Sequence, residues 1–318
     1  MSEAIEQFDC FGGSCAVLVA GAGPAGTARD AAGRVRRRLL AWHEQFSRFS
    51  PTSELSRLNA DPRRVVSVSP TMARFVATAV GAAGASGGLI DPTLVEDLES
   101  AGYGRDLRWD SLPLPRALLL APGRAAAAPR AVARWAEIEV DRAARTVTRP
   151  PGVRIDSGGI FKGLCGDMLA GVLGRHVSFA VDAAGDVRFG GAGGWRRPVR
   201  VTSPFDGSLV HVFELMQGAA ATSGIGRRSW LGADGRPAHH LLDPATGLPA
   251  FTGVVQVTAL APTGVEAEMR SKAALLSGPS AAADWLDDGG VVVLDDGTLQ
   301  VIEPTAKLVG EPAVELAA

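Results

Sequence analysis

The sequence contains little cysteine, little lysine, no strong charge of either sign and no long hydrophobic run. Its three cysteines, Cys10, Cys15 and Cys165, form no C-x-x-C pair, so we expect neither a disulfide framework nor a zinc site. The net charge of −2 over 318 residues gives no reason to expect nucleic acid as the main partner. The apolar runs are too short to span a bilayer, and acidic residues near the N-terminus do not suit a signal peptide. These absences predict a cytoplasmic protein with no stable membrane anchor.

The shortage of lysine directs attention to the few positions that have one. Lysine occurs at Lys162, Lys272 and Lys307, and arginine supplies the rest of the 32 basic residues. A lysine amine is a compact point charge, whereas arginine presents a broad planar fork of donors. Each lysine is therefore a candidate for a specific role, because arginine is the default cation of this chain.

The apolar content and the order of predicted elements indicate the fold class. Apolar residues make up 46% of the chain, which is typical of a folded protein with a substantial core. Residues 10–46 are predicted to form a strand and a long helix, and further helices are predicted at 69–86, 92–102, 159–174 and 264–277. Residues 115–133 show no clear period, so we expect a surface excursion there. We expect a single domain over residues 1–318, with room for two sublobes.

Short β-rich runs lie between these helices. Three of them, at 136–141, 146–150 and 152–156, are predicted to pair in antiparallel fashion. More strands are predicted within 178–191, 197–203, 208–215 and 254–261, and residues 289–304 are predicted as a closing hairpin that turns on Asp-Gly. Runs of strands interrupted by helices favour an α+β fold over a doubly wound parallel sheet.

A glycine triplet near the N-terminus raises the question of a dinucleotide site. In "VLVAGAGPAG" (17–26), Gly21, Gly23 and Gly26 have the G-x-G-x-x-G spacing that lets a backbone approach a pyrophosphate. A Rossmann unit also needs a second buried strand after the helix, but the polar "SRFSPTSELSRLN" follows it. A plain turn between a strand and a helix is the alternative interpretation, and the sequence favours it.

The segment "IDSGGIFKG" (155–163) carries the clearest chemical signal. A strand is predicted to end at Asp156, two glycines expose the backbone, and Lys162 follows inside a helix. Backbone N–H groups at a helix start, with an amine beside them, form a cradle for phosphate. The alternative is a glycine turn with a surface Asp–Lys pair.

Three further segments allow both a functional and a structural interpretation. In "AAATSGIGRR" (219–228), the hydroxyls of Thr222 and Ser223 suit an anion site or a helix cap. In "HHLLDPATGLPA" (239–250), no Ser or Cys nucleophile accompanies His240, so a hydrolase triad is not expected. A structural role is the alternative to a functional role for this histidine. Glu268 and Lys272 lie four residues apart on one helical face, where the ordinary outcome is a solvated ion pair.

Seven short segments occur in a fixed order along the chain. They are "RFSPTSELSRLN" (48–59), "IDPT" (90–93), "DSGGIFKG" (156–163), "AAGDVR" (183–188), "ATSG" (221–224), "HHLLDPATGLP" (239–249) and "VTALAPTGVEAE" (257–268). In this order they resemble the ApbE family of FAD:protein FMN transferases. The resemblance implies an ApbE-like (T-fold-like) α+β fold of mixed, largely antiparallel sheets flanked by helices. It also implies that the N-terminal strand and helix are scaffold and that FAD binds elsewhere.

The resemblance implies an activity and a set of site residues. The family cleaves FAD and attaches FMN through a phosphoester to a Thr or Ser of an acceptor flavoprotein, with release of AMP. Catalytic positions correspond to Lys162, His240, Glu268 and Lys272. FAD-contacting positions correspond to Phe11, Phe49, Leu89, Ile90, Asp91, Asp156, Lys162, Ser223, His240 and Leu241.

The resemblance implies a Mg²⁺ site, and the sequence departs from the family there. The family holds Mg²⁺ with a backbone carbonyl at the position of Gly159 and with an Asp and a Thr four residues apart, where this chain has Glu268 and Lys272. Glutamate can ligate Mg²⁺, whereas a charged lysine cannot. We expect FAD binding to tolerate chelators, and transfer to be slow or to use Mg²⁺ held by Glu268. The alternatives are a relative that binds or hydrolyses FAD without transfer, and an oxidoreductase that uses the N-terminal glycine turn.

Overall fold

The computed structural model describes residues 2–105 and 112–309 of the chain. Its strands, in chain order, are β1 (Glu3–Cys10), β2 (Gly13–Ala20), β3 (Val65–Ser67), β4 (Glu139–Asp141), β5 (Thr146–Thr148), β6 (Ser178–Ala183), β7 (Asp186–Gly190), β8 (Arg197–Thr202), β9 (Leu209–Leu215), β10 (Gly218–Gly224), β11 (Ser229–Leu231), β12 (Pro237–His239), β13 (Leu242–Asp243), β14 (Leu248–Pro249), β15 (Val254–Ala261), β16 (Gly290–Leu294) and β17 (Leu299–Ile302). Its helices are α1 (Ala28–Phe46), α2 (Glu54–Ala60), α3 (Pro70–Ala85), α4 (Val95–Ser100), α5 (Leu114–Leu119), α6 (Phe161–Leu173), α7 (Gly264–Ser277) and α8 (Ala306–Val309). None of the helices in these ranges is long and apolar enough to cross a membrane.

The centre of the fold is an eight-stranded sheet in the order β1-β2-β6-β7-β10-β15-β16-β17. Every neighbouring pair in this sheet is antiparallel. Helix α1 packs on β1 and β2, α6 packs on β6 and β7, and α7 packs on β10 and β15. The predicted α+β class, with largely antiparallel sheets flanked by helices, is confirmed.

Local sequence signals explain where most of the longer helices begin. Thr27, Ser53, Ser69 and Thr263 precede α1, α2, α3 and α7, and each side chain accepts a hydrogen bond from the backbone N–H three residues later. Such caps satisfy backbone donors that have no partner inside the helix. Helix α6 differs, because the residue before it is Ile160, which provides no side-chain cap.

Helices α6 and α7 touch each other at two glycines. A Cβ atom on Gly163 would lie 2.2 Å from the carbonyl oxygen of Gly264, so neither helix could come this close with a side chain at that point. This contact brings the N-terminal part of α6 against the N-terminal part of α7. The two helices that carry Lys162 and Lys272 are therefore neighbours.

The buried apolar residues form two large clusters joined by the central sheet. One is built around α7 and strands β15 and β16, and the other lies between α1, α3 and α6. The helix α1 stripe of Val35, Leu39, Trp42 and Phe46 has the spacing expected for a helix that buries one face. Residues 1, 106–111 and 310–318 lie outside the described part, so the single domain over 1–318 stays a prediction.

Several local predictions are wrong. Residues 152–156 are not a strand, because the side chain of Asn59 bonds both the N–H and the carbonyl of Ile155, at 2.8 Å each, in place of a neighbouring strand. Strand β3 pairs with β5 instead. Residues 218–224 form strand β10 rather than a helix cap, and the excursion at 115–133 begins with most of helix α5. Strand β1 was not predicted, although its burial alternates as an edge strand requires.

Candidate functional site

A cleft of about 780 Å³ lies where several loops meet the sheet and helices α6 and α7. This volume is within the range of about 300–1,000 Å³ that is usual for small-molecule and cofactor sites. Almost all predicted site residues line it: Phe11, Phe49, Leu89, Ile90, Asp91, Asp156, Gly159, Lys162, Ser223, His240, Leu241 and Lys272. Glu268 does not line the cleft, since its side chain is fully buried behind Lys272.

The N-terminal glycine triplet lies away from this cleft and forms a simple turn. Gly23 and Gly26 exchange two backbone hydrogen bonds, of 3.0 and 2.8 Å, and the ring of His176 packs against Gly23. Strand β2 has antiparallel neighbours on both sides, whereas a Rossmann unit needs parallel ones. The dinucleotide interpretation of this triplet is therefore wrong, and the turn interpretation is confirmed.

The loop before α6 presents a glycine turn to the cleft. Asp156 accepts a hydrogen bond of 2.8 Å from the backbone N–H of Gly158, and the hydroxyl of Ser157 donates to the carbonyl of Phe46 at 2.9 Å. These two bonds fix the turn that leads into the helix. Because the helix start has no side-chain cap and lies at the cleft, its N-terminal dipole favours an anionic ligand there.

The carboxylate that faces Lys162 is Asp186. Lys162 Nζ lies 2.5 Å from Asp186 Oδ2, and the Asp186 side chain is only 5% exposed. Burial works against a charged amine, but the carboxylates of Asp186 and Glu268 outweigh it, so the pKa of Lys162 is raised above its ordinary value. Lys162 therefore carries a positive charge at the cleft wall at neutral pH. Asp186 was not among the predicted site residues, although it lies in the "AAGDVR" segment (183–188).

Asp156 pairs with Arg48 and not with a lysine. Arg48 Nε lies 3.0 Å from Asp156 Oδ1, and the guanidinium packs over the rings of Phe49 and Tyr103 at 4.7 and 5.0 Å. The interpretation of the glycine segment as a surface Asp–Lys pair is therefore wrong. Neither Arg48 nor Tyr103 was among the predicted site residues. Arg48 opens the "RFSPTSELSRLN" segment, whereas nothing in the local sequence marks Tyr103.

Glu268 and Lys272 form a buried ion pair. Lys272 Nζ lies 3.0 Å from Glu268 Oε1, and the two side chains are 10% and 0% exposed. The other carboxylate oxygen, Oε2, accepts a hydrogen bond of 2.8 Å from the backbone N–H of Gly163. The interpretation of this pair as a solvated surface pair is therefore wrong.

The residues at this position do not fit a bound Mg²⁺ ion as they are arranged. Both oxygens of Glu268 already accept hydrogen bonds, and a lysine in the second position brings a positive charge where a ligand oxygen is needed. Within residues 2–105 and 112–309, no three His, Cys, Asp or Glu side chains are grouped so that they could hold a metal ion. The predicted pairing of Gly159 and Glu268 as metal ligands gains no support from this donor set.

Two polar side chains at the cleft have atoms without partners in the described part of the chain. They are His240, at Nδ1, and Asp91, at Oδ2, whose other oxygen accepts from the backbone and hydroxyl of Thr93. Burial, with Arg228, His239 and Lys272 adding to it, places the pKa of His240 well below the ordinary value. His240 is therefore a neutral imidazole at physiological pH.

The hydroxyl of Ser223 connects the cleft to helix α7. Ser223 Oγ lies 2.8 Å from Ser271 Oγ, one residue before Lys272. The neighbouring Thr222 hydroxyl lies 2.8 Å from that of Thr258. These bonds hold strand β10 against α7 and β15, so Ser223 faces the cleft from a rigid strand.

The fold and the cleft together define a class of protein: an α+β chain whose antiparallel sheet and helices enclose a cleft with aromatic, glycine-rich and basic walls. The model of the ApbE family matches residues 11–294, which is most of the chain. The protein belongs to the ApbE family.

Individual relatives agree with this assignment. An FAD:protein FMN transferase of Vibrio cholerae is 27% identical over 234 residues, which cover 71% of this chain and 67% of that protein. The enzyme of the same name from Escherichia coli is 26% identical over 149 residues, which cover 45% of this chain and 42% of that protein. The crystal structure of the ApbE protein of Thermotoga maritima has a TM-score of 0.76 and 26% identity, and the match covers 95% of this chain and 97% of that chain.

Proposed function

We propose that this protein is an FAD:protein FMN transferase that binds FAD in the cleft. The main support for the proposal is that side chains from distant parts of the chain line one cleft. Phe11 comes from the N-terminal hairpin, Lys162 from the middle of the chain and Lys272 from the last long helix. The curated relatives are FAD:protein FMN transferases, which supports the same substrate and reaction here.

The lining of the cleft suits a ligand that is aromatic at one part and anionic at another. Phe49, Tyr103 and the guanidinium of Arg48 form an aromatic and cationic wall, on which a flat ring can stack. Lys162 and the start of α6 provide positive charge and backbone donors for phosphate. The proposal therefore assigns FAD contacts to Phe11, Phe49, Leu89, Ile90, Asp91, Asp156, Lys162, Ser223, His240 and Leu241.

The proposed reaction is a phosphoryl transfer. The oxygen of a Thr or Ser hydroxyl on the acceptor forms a bond to the phosphorus on the FMN side of the pyrophosphate. The bond from that phosphorus to the bridging oxygen breaks, and AMP leaves with the electron pair. Such reactions depend on charge neutralisation and in-line positioning more than on a protein nucleophile.

The chain's own residues divide this work. Lys162 neutralises phosphate charge, and Asp186 holds its amine in position. His240 is uncharged and has a ring nitrogen without a partner in the described part of the chain, so in this proposal it orients the substrate by a hydrogen bond. Its lowered pKa makes it a poor proton acceptor, so the hydroxyl proton passes to the departing phosphate of AMP or to solvent water. Glu268 positions both Lys272 and the backbone of Gly163.

The proposed partner is an acceptor flavoprotein that presents a Thr- or Ser-containing loop. We expect a weak, transient encounter, because the acceptor loop leaves after each turnover. A complex of the two proteins that survives gel filtration without FAD would contradict this expectation.

The test is co-expression with an acceptor protein followed by mass spectrometry of the acceptor. We expect one FMN on a Thr or Ser with the parent chain and none with Lys162→Met. Lys307→Met is the matched control. It removes an exposed lysine of helix α8, which does not line the cleft, so transfer should remain intact. An acceptor without FMN beside the parent, under conditions where FAD is bound, would contradict the transferase proposal.

A second candidate is an ApbE-like protein that binds FAD and transfers poorly or only hydrolyses it. The buried Glu268–Lys272 pair favours this candidate, because it departs from the common metal-site pattern at the place of chemistry. Bound FAD in the purified protein supports both candidates. The FMN adduct on the acceptor separates them.

A further inference from the structure

We propose that the amine of Lys272 takes the place of a divalent cation in this cleft, so that the protein binds the pyrophosphate of its substrate without a metal ion. The inference rests on the proposed function, since it concerns the same cleft and the same substrate. It goes beyond that function because it assigns a cation-independent mode of binding to this chain.

The first argument is the state of Glu268. Its two oxygens accept hydrogen bonds from Gly163 N–H at 2.8 Å and from Lys272 Nζ at 3.0 Å, and the side chain has no exposure to solvent. A metal ion on Oε1 would have to lie directly beside the Lys272 ammonium or displace it. Displacement would separate a largely buried ammonium from its carboxylate, which is costly in a protein interior.

The second argument is the position of the amine. Lys272 lines the cleft, whereas Glu268 lies behind it and does not. An ammonium group carries three donors, and the carboxylate of Glu268 takes one of them. Donors of Lys272 therefore remain for a phosphate oxygen on the cleft side.

The third argument is the charge that surrounds this point. Lys162, Arg227 and Arg228 also line the cleft, beside the carboxylates of Asp91, Asp156 and Asp182, so a dianionic pyrophosphate has fixed cations to pair with in the absence of a metal ion. A divalent cation beside Lys272 would repel the amine at short range in a poorly solvated site. The same wall that suits a pyrophosphate therefore disfavours an added Mg²⁺.

The choice of lysine fits this role. Lys162 and Lys272 are two of three lysines in a chain whose other cations are arginines, and both lie on this wall. A compact amine on a flexible stem can stand where a small ion would, whereas a guanidinium is broader and needs planar partners.

The experiment measures FAD affinity by fluorescence titration, once with excess MgCl₂ and once with excess EDTA. For the parent we expect the two dissociation constants to agree within about twofold. For the double variant Glu268→Asp with Lys272→Thr, we expect weaker binding in EDTA and at least about tenfold tightening by Mg²⁺, because loss of the amine opens the carboxylate to the cleft and the new hydroxyl supplies a second oxygen for the ion. Lys307→Thr is the control and should behave like the parent.

Circular dichroism and thermal unfolding establish that the double variant is folded. If it is not, Lys272→Met is used, and its FAD affinity in EDTA should fall about tenfold, as expected for the loss of a charge-assisted hydrogen bond. Parent binding that needs Mg²⁺ would overturn the inference and leave the proposed function intact. A double variant that ignores Mg²⁺, or a Lys272→Met variant that binds like the parent, would also overturn it. Absence of FAD binding by the parent in both buffers would overturn the proposed function as well.

Discussion

The carboxylate of Glu268 accepts a hydrogen bond from the backbone N–H of Gly163 at 2.8 Å, so helix α7 is tied to helix α6 at the cleft. The bond lies one residue after Lys162 and one helical turn before Lys272. It exists because the two helices approach closely at Gly163 and Gly264. The relative position of the two amines therefore depends on a backbone contact and not on the side chains alone.

The first prediction concerns this contact. Gly163→Ala should lower the free energy of unfolding by at least about 2 kcal/mol, because the new Cβ would meet the backbone of Gly264 and force the helices apart. Gly171→Ala, in the same helix with open space around it, should instead raise that free energy by about 0.5–1 kcal/mol. Urea unfolding measures both. Equal effects of the two substitutions would show that the helix contact is not tight.

The second prediction locates the FAD site. Lys162→Ala and Asp156→Ala should each weaken FAD binding, by about tenfold for the lysine, because a charged contact to phosphate is lost or the glycine turn is released. Gly23→Ala should leave the dissociation constant unchanged, although it crowds the ring of His176 and reduces thermal stability. The titrations are done with flavin fluorescence. Loss of FAD binding in the Gly23 variant alone would place the site at the N-terminal turn.

The third prediction concerns the charge of Lys162. Asp186→Asn keeps an oxygen for the backbone N–H of Thr222 but removes the carboxylate that faces the amine. Burial then lowers the pKa of Lys162 with less opposition, so the amine loses its charge at a lower pH than in the parent. FAD affinity measured between neutral and alkaline pH should fall earlier in the variant. Superimposable pH profiles would show that Asp186 does not control this charge.

The fourth prediction concerns stability in acid. Burial lowers the pKa of His239 from 6.5 to about 3, so the folded protein keeps this ring neutral while the unfolded chain protonates it. The contribution of the neutral His239 ring to the free energy of unfolding is complete above pH 6.5. As the pH falls from 6.5 toward 3, that free energy decreases by about 1.4 kcal/mol for each pH unit.

His239→Asn is the variant that tests this pH dependence. It keeps an acceptor near the backbone N–H of Leu241 but removes the titrating ring. Its free energy of unfolding should therefore decline less steeply between pH 6 and 4, within the window from 6.5 to about 3 over which the parent ring titrates. An unchanged slope in urea unfolding would mean that His239 is not responsible for it.

Much of the fold followed from local sequence. The helices that contain α1, α3, α6 and α7 were predicted because each has a buried apolar face, and all but α6 begin with a side-chain cap. Residues 152–156 were predicted wrongly because their alternation resembles a strand, whereas their hydrogen-bond partner is a side chain far away in sequence, Asn59. Strand β10 was missed because its small residues, Gly218–Gly224, give no alternating pattern.

The residue types of the cleft, their order along the chain and the four-residue spacing of Glu268 and Lys272 can all be read from the sequence. Their pairing follows from the packing of distant segments: Lys162 pairs with Asp186, and Asp156 pairs with Arg48. Tertiary packing also buries the Glu268–Lys272 pair, which in an isolated helix would be solvated. The physical reason is that pairing and burial depend on which elements pack together, and sequence spacing defines neighbours within one helix or strand only.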